Sequence, residues 1–66
     1  MKIFVNGEPQ DVSQNFTAET LVNQLELQNT KIAMEVNLEI IPRSLYSEHT
    51  FQDGDKVEIV RAIGGG

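Results

Sequence analysis

The 66 residues make one domain near the lower end of what folds unaided, and a chain of this size buries only about 60% of its unfolded surface. The absence of cysteine excludes disulfides and thiolate-bound metal and fits a reducing compartment. A net charge of −5, from ten acids and five bases, argues against nucleic acid and anionic membranes as partners, and no leader-like or membrane-length apolar run opens the chain. The expectation is a soluble cytoplasmic domain, monomeric when free and too small to enclose a catalytic cleft.

The first segment, KIFVNGEPQDV, reads as a hairpin. Ile3 and Val5 share one face while Lys2, Phe4 and Asn6 point the other way. Asn6-Gly7 tolerates positive φ at both turn centres, which a type I′ turn requires. Pro9 removes a ladder donor and assigns the second strand to a sheet edge, with Val12 as its inward anchor. A helix follows in NFTAETLVNQLEL. Thr17 is the N-cap, Phe16 and Leu21 take the hydrophobic-staple positions, and Glu19 suits the positive end of the dipole. Ala18, Leu21, Val22 and Leu25 form one apolar stripe, and Asn29 is the residue expected to close the helix or its loop in a left-handed conformation.

KIAMEVN reads as a third strand, with Ile32, Met34 and Val36 on one side. NLEIIPRSLY gives a turn, a short apolar stretch and a break at Pro42, after which Leu45 and Tyr46 plug an end of the core from a single helical turn. HTF is a brief strand, Asp53-Gly54-Asp55 a turn, and KVEIV the last strand, with Val57 and Ile59 inward. One helix must cover one face of a mixed sheet of four to five strands for these stripes to be buried. A long crossover lets the last strand lie parallel to the first in the middle of the sheet. This is the α+β architecture of the β-grasp, or ubiquitin-like, fold. The domain spans residues 1–61, and residues 62–66 form a flexible tail.

That tail ends in Gly64-Gly65-Gly66, three residues that cannot pack. Glycine lacks a Cβ, so such a segment can enter a narrow channel and leaves its carbonyl uncrowded. The competing explanation is a frayed end.

Over nearly its whole length the chain resembles the ThiS-type sulfur carriers. The similarity lies in the Asn6-Gly7 hairpin, the capped helix, EVNLEIIPRS, DGDKVEIV and the terminal diglycine, in that order. The small subunit of molybdopterin synthase shares fold and tail but usually carries proline-containing sequence before its glycines; here that stretch is Val60-Arg61-Ala62-Ile63. The resemblance implies a protein substrate, not an enzyme. A ThiF-type enzyme uses ATP to adenylate the Gly66 carboxylate, and a persulfide donor protein converts it to a thiocarboxylate. A ThiG-type thiazole synthase then receives the sulfur for thiamine biosynthesis. No cofactor is bound by the carrier itself. Gly64 and Gly65 would enter the partner's tunnel. A chain without cysteine cannot carry sulfur on a thiol, which leaves the terminal carboxyl as attachment point.

Phe4 and Val60 fall on the sheet face away from the helix and are expected side by side, forming with Arg61 and Ile63 a docking surface. Asp53 and Asp55 read as a solvated turn and not as metal ligands, and His49 as packing, since no catalytic partner accompanies it. Arg43 is equally a structural or a docking cation. Beside the sulfur carrier stand two other classes: a ubiquitin-like modifier conjugated through Gly66, and a binding module whose glycines are incidental.

Overall fold

The computed structural model describes residues 1–61. Asn6 and Gly7 adopt φ of 50° and 87°, so the first turn has the positive φ at both centres that its residues favour. The turn joins β1 (Lys2–Val5) to β2 (Glu8–Asp11) in antiparallel register, with Phe4 opposite Pro9. After helix α1 (Ala18–Gln24) come β3 (Ile32–Val36), β4 (Glu39–Ile41), a 3₁₀ turn (Arg43–Leu45) and β5 (Lys56–Arg61). The strands form one sheet in the order β2-β1-β5-β3-β4, with β5 parallel to β1 and antiparallel to β3. Pro9 therefore sits on an edge strand, where a missing donor costs nothing.

Period-2 alternation decides what each strand buries. Ile3, Val5, Met34, Val36, Val57 and Ile59 face inward and meet Ala18, Leu21 and Val22 of α1. Val12, Tyr46 and Phe51 close the ends of this core. Thr17 caps α1 by accepting from the Thr20 amide at 3.1 Å. The two amides before it are also satisfied: Ala18 donates to the His49 carbonyl and Glu19 to the Tyr46 carbonyl. The HTF segment, expected as a brief strand, is no strand. It pairs through a single bridge between Thr17 and Thr50, and its His49 carbonyl serves the helix start.

The helix ends earlier than the apolar stripe implies. Leu25 is the C-cap and 41% exposed, and Glu26, at φ 59°, takes the left-handed position expected of Asn29. The amides of Glu26 and Leu27 bond back to the carbonyls of Asn23 and Val22, the paired bonds of a Schellman motif. Stopping there turns Leu27 onto the core, which the helix could not do by continuing through Leu25. Of the two residues expected to plug the core end, Tyr46 is buried whereas Leu45 is 47% exposed. A second turn with positive φ at both centres joins β3 to β4, but with leucine at its second centre: Asn37 has φ 52° and Leu38 φ 71°.

Candidate functional site

β5 is the last described element before the terminal glycines in the sequence. Ile63, Gly64, Gly65 and Gly66, to which the sequence reading assigns tail and reaction roles, lie outside the described residues. Val60 and Arg61 are described, and both are exposed. On one side β5 is held by β3, with Ala33 opposite Val60 and Ile32 opposite Arg61.

On its other side β1 stops early. The register pairs Phe4 with Lys56 and Val5 with Val57, and the Asn6 amide donates to the Val57 carbonyl at 2.8 Å. Residues 58–61 of β5 run on past this point. The Asn6 side chain supplies the next rung, accepting from the Ile59 amide at 2.8 Å and donating to the Ile59 carbonyl at 3.3 Å. Sequence reasoning gave Asn6 only its turn role. The side-chain contact spans 53 positions, and no local pattern reports it.

Phe4 lies on the face away from α1, as alternation requires, and is half-buried. It does not stand beside Val60. Its neighbour across the ladder is Lys56, and Val60 is four residues further along β5, about 13 Å at the usual rise of a strand. The expected face is kept and the expected adjacency is not, because parity fixes a side chain's face but not the stagger between strands. Val60 instead adjoins Ala33, and Ile40, 72% exposed, lies diagonal to Ala33 across Glu35.

The other polar residues singled out from sequence have structural partners. Asp53 accepts from the Lys2 amide at 2.7 Å, prolonging β1's pairing into the turn. Asp55 accepts from the Gln52 amide and from the Asn37 carboxamide, while Asn37 accepts from the Lys56 amide. Their oxygens are thus engaged in turn and strand-end bonds, and no group of three acids or histidines able to hold a metal occurs among the described residues. Arg43 donates to the carbonyls of Gln28 and Thr30, both at 3.0 Å, and its guanidinium carbon lies 5.9 Å from the centre of the Tyr46 ring. It clamps the α1–β3 loop to the 3₁₀ turn. Burial pushes the Tyr46 hydroxyl above its ordinary pKa, with the Arg43 charge opposing the shift. His49 packs edge-on against Phe51 at 5.2 Å.

A mixed five-stranded sheet with one helix on one face, whose central strand precedes the terminal glycines in sequence, defines a ubiquitin-like β-grasp protein of the sulfur-carrier class. The ThiS family matches residues 3–66, and the chain belongs to that family. It is similar over its full length to the sulfur carrier protein ThiS of Escherichia coli, 30% identical with 100% of both chains covered. The crystal structure of the thiamine biosynthesis protein ThiS from Geobacter metallireducens superposes with a TM-score of 0.82 at 30% identity, again covering 100% of both chains. A thiazole synthase of Paramagnetospirillum magneticum is 47% identical over 66 residues. Those residues are all of this chain but only 20% of the longer protein. As a member of the ThiS family the chain is a small sulfur carrier and not itself a catalyst.

Proposed function

We propose that the chain carries sulfur for thiazole formation in thiamine biosynthesis as a thiocarboxylate on Gly66. The observation that carries this reading is that the family match runs through the fold and on to residue 66, so the glycines belong to the matched unit and are not an appendage. A carboxylate resists nucleophilic attack because of its charge and resonance, so it must first be activated. In the proposed sequence a Gly66 carboxylate oxygen attacks the α-phosphorus of ATP on a ThiF-type enzyme, expelling pyrophosphate. The terminal sulfur of a persulfide then attacks the acyl carbon and expels AMP. Cleavage of the resulting acyl disulfide by a thiol leaves the thiocarboxylate and a disulfide on the donor side.

The occurrence of a closely similar stretch within a thiazole synthase supports a synthase of that kind as the acceptor. Docking is assigned to the exposed surface at the root of the tail, Val60 and Arg61 with Ile63 beyond them, and Phe4 is a second contact further along the same face. Gly64 and Gly65 would thread the partner's channel, where a Cβ would obstruct.

Removing Gly66, or adding one residue after it, tests the reading. The expected result is unchanged melting with no acyl adenylate, since the reacting carboxylate is displaced by one residue. Adenylation of either variant at the unsubstituted rate would take Gly66 out of the chemistry.

A further inference from the structure

We infer that Asn6 is a positioning residue for the tail: its carboxamide fixes the end of β5 and thereby the direction in which the reacting terminus leaves the domain. A primary carboxamide carries the same donor and acceptor pair as a peptide group. Here it occupies the place where the next peptide group of β1 would stand, accepting from Ile59 N–H at 2.8 Å and donating to Ile59 C=O at 3.3 Å. The main chain cannot fill that place itself. With φ of 50° at Asn6 and 87° at Gly7 it is already turning away into β2.

The consequence falls on the last residues of β5. Val57 is held on both edges by main chain, by β1 and by β3. Beyond it, Val60 and Arg61 have β3 on one side and no β1 residue in register on the other. Asn6 is the group that extends two-sided support to Ile59, two residues short of Arg61. A strand held on one edge frays more readily than one held on both, and local opening of this kind need not involve the rest of the domain. Gly66 lies five residues past Arg61 in sequence, so the end of β5 sets the point from which the reacting terminus must reach its partner. Misplacement of a reacting group by about 1 Å can cost on the order of a hundredfold in rate.

One residue thereby joins two tasks that the sequence keeps 53 positions apart: closing the first hairpin and aligning the last strand. Asparagine suits both, since it tolerates a left-handed backbone and offers the donor–acceptor pair. Glycine would serve the turn alone. Aspartate would serve the turn and accept from Ile59 N–H, but would set its second oxygen against the Ile59 carbonyl.

The inference rests on the reading of Gly66 as the reacting terminus, and the test separates the two. Asn6→Gly, Asn6→Asp and, as a control that weakens the fold elsewhere, Thr17→Ala are compared with the unsubstituted full chain. Two readouts are needed: amide exchange by NMR, and steady-state adenylation by a ThiF-type enzyme with ATP, resolved into kcat and KM for the carrier. Asn6→Gly should speed exchange at Ile59 about tenfold or more, and Asn6→Asp, which keeps the acceptor but repels the Ile59 carbonyl, by less, with Met34 unaffected in both, as expected for local opening. They should lower kcat by about tenfold with KM within about twofold, as expected for misplacement of the reacting group. Thr17→Ala should leave both parameters unchanged. Faster exchange at Ile59 with kcat unaltered would make Asn6 a purely structural residue and overturn the inference, as would an equal fall in kcat for Thr17→Ala. Failure of the unsubstituted chain to be adenylated would remove the carrier reading, and the inference with it.

Discussion

Leu38 holds a left-handed backbone that its Cβ disfavours, and relieving it should stabilise the fold. Its φ is 71° and its side chain is 86% exposed. A left-handed conformation costs a residue with a Cβ roughly 1–2 kcal/mol. Full burial of a leucine is worth about 1.5–3 kcal/mol, so the small covered part of this one contributes no more than about 0.4 kcal/mol. Glycine removes the strain but gives back about 0.5–1 kcal/mol through its freer unfolded chain. Leu38→Gly should therefore gain about 0.5 kcal/mol, an unusual sign for removing a leucine. Leu38→Ala keeps the Cβ and hence the strain, so glycine should exceed alanine by about 0.5–1 kcal/mol. Urea denaturation of the three chains, fitted with a common m-value, measures both differences. An alanine variant as stable as the glycine variant would refute the strain argument and place Leu38's contribution in its contacts.

Glu26→Gly, at the left-handed position of the Schellman motif, should likewise raise stability by roughly 0.5–1 kcal/mol, read in the same denaturation assay. Arg43→Ala should cost about 1–2 kcal/mol by freeing two loop carbonyls, without lowering thiocarboxylate yield; normal stability with weakened partner binding would make Arg43 a docking cation instead. Because burial raises the Tyr46 pKa in the folded state, the unfolded chain releases that proton first as pH rises. The associated stability is complete below the ordinary tyrosine value of 10.0 and is lost as pH climbs through the folded value. Melting temperatures measured across this range should fall with pH, and Tyr46→Phe should flatten the slope. Val60→Ala should weaken binding to the adenylating enzyme by more than about 1 kcal/mol, with less than about 0.5 kcal/mol lost from the fold. Calorimetric titration and denaturation of this one variant decide whether the root of the tail is a docking surface.

Most of the fold could be read from the sequence because its strands alternate cleanly and its first turn carries residues with a single conformational preference. Asn6-Gly7, Pro9 and Thr17 each act through their own backbone or an immediate neighbour, and each took the place its chemistry implies. What could not be read depends on tertiary register. Nothing local marks Glu26 for a left-handed cap; that follows from Leu27 reaching the core. The HTF segment looks strand-like, but it makes a single bridge, and its His49 carbonyl is claimed by the start of a helix more than thirty positions earlier. The separation of Phe4 from Val60 and the bond from Asn6 to Ile59 have one origin, the stagger that lets β5 outrun β1. Hydrophobic parity is blind to that stagger, so a candidate site at a strand end was legible in its residues but not in its arrangement.

Intact-mass spectrometry shows whether Gly66 accepts sulfur. The full chain is incubated with a ThiF-type enzyme, ATP and a persulfide donor, then weighed and fragmented. A thiocarboxylate carrier should gain the mass of one oxygen replaced by sulfur, confined to the C-terminal fragment and absent when ATP is withheld. An unchanged mass, or conjugates joined through Gly66 to lysines of other proteins in place of that exchange, would contradict the carrier reading.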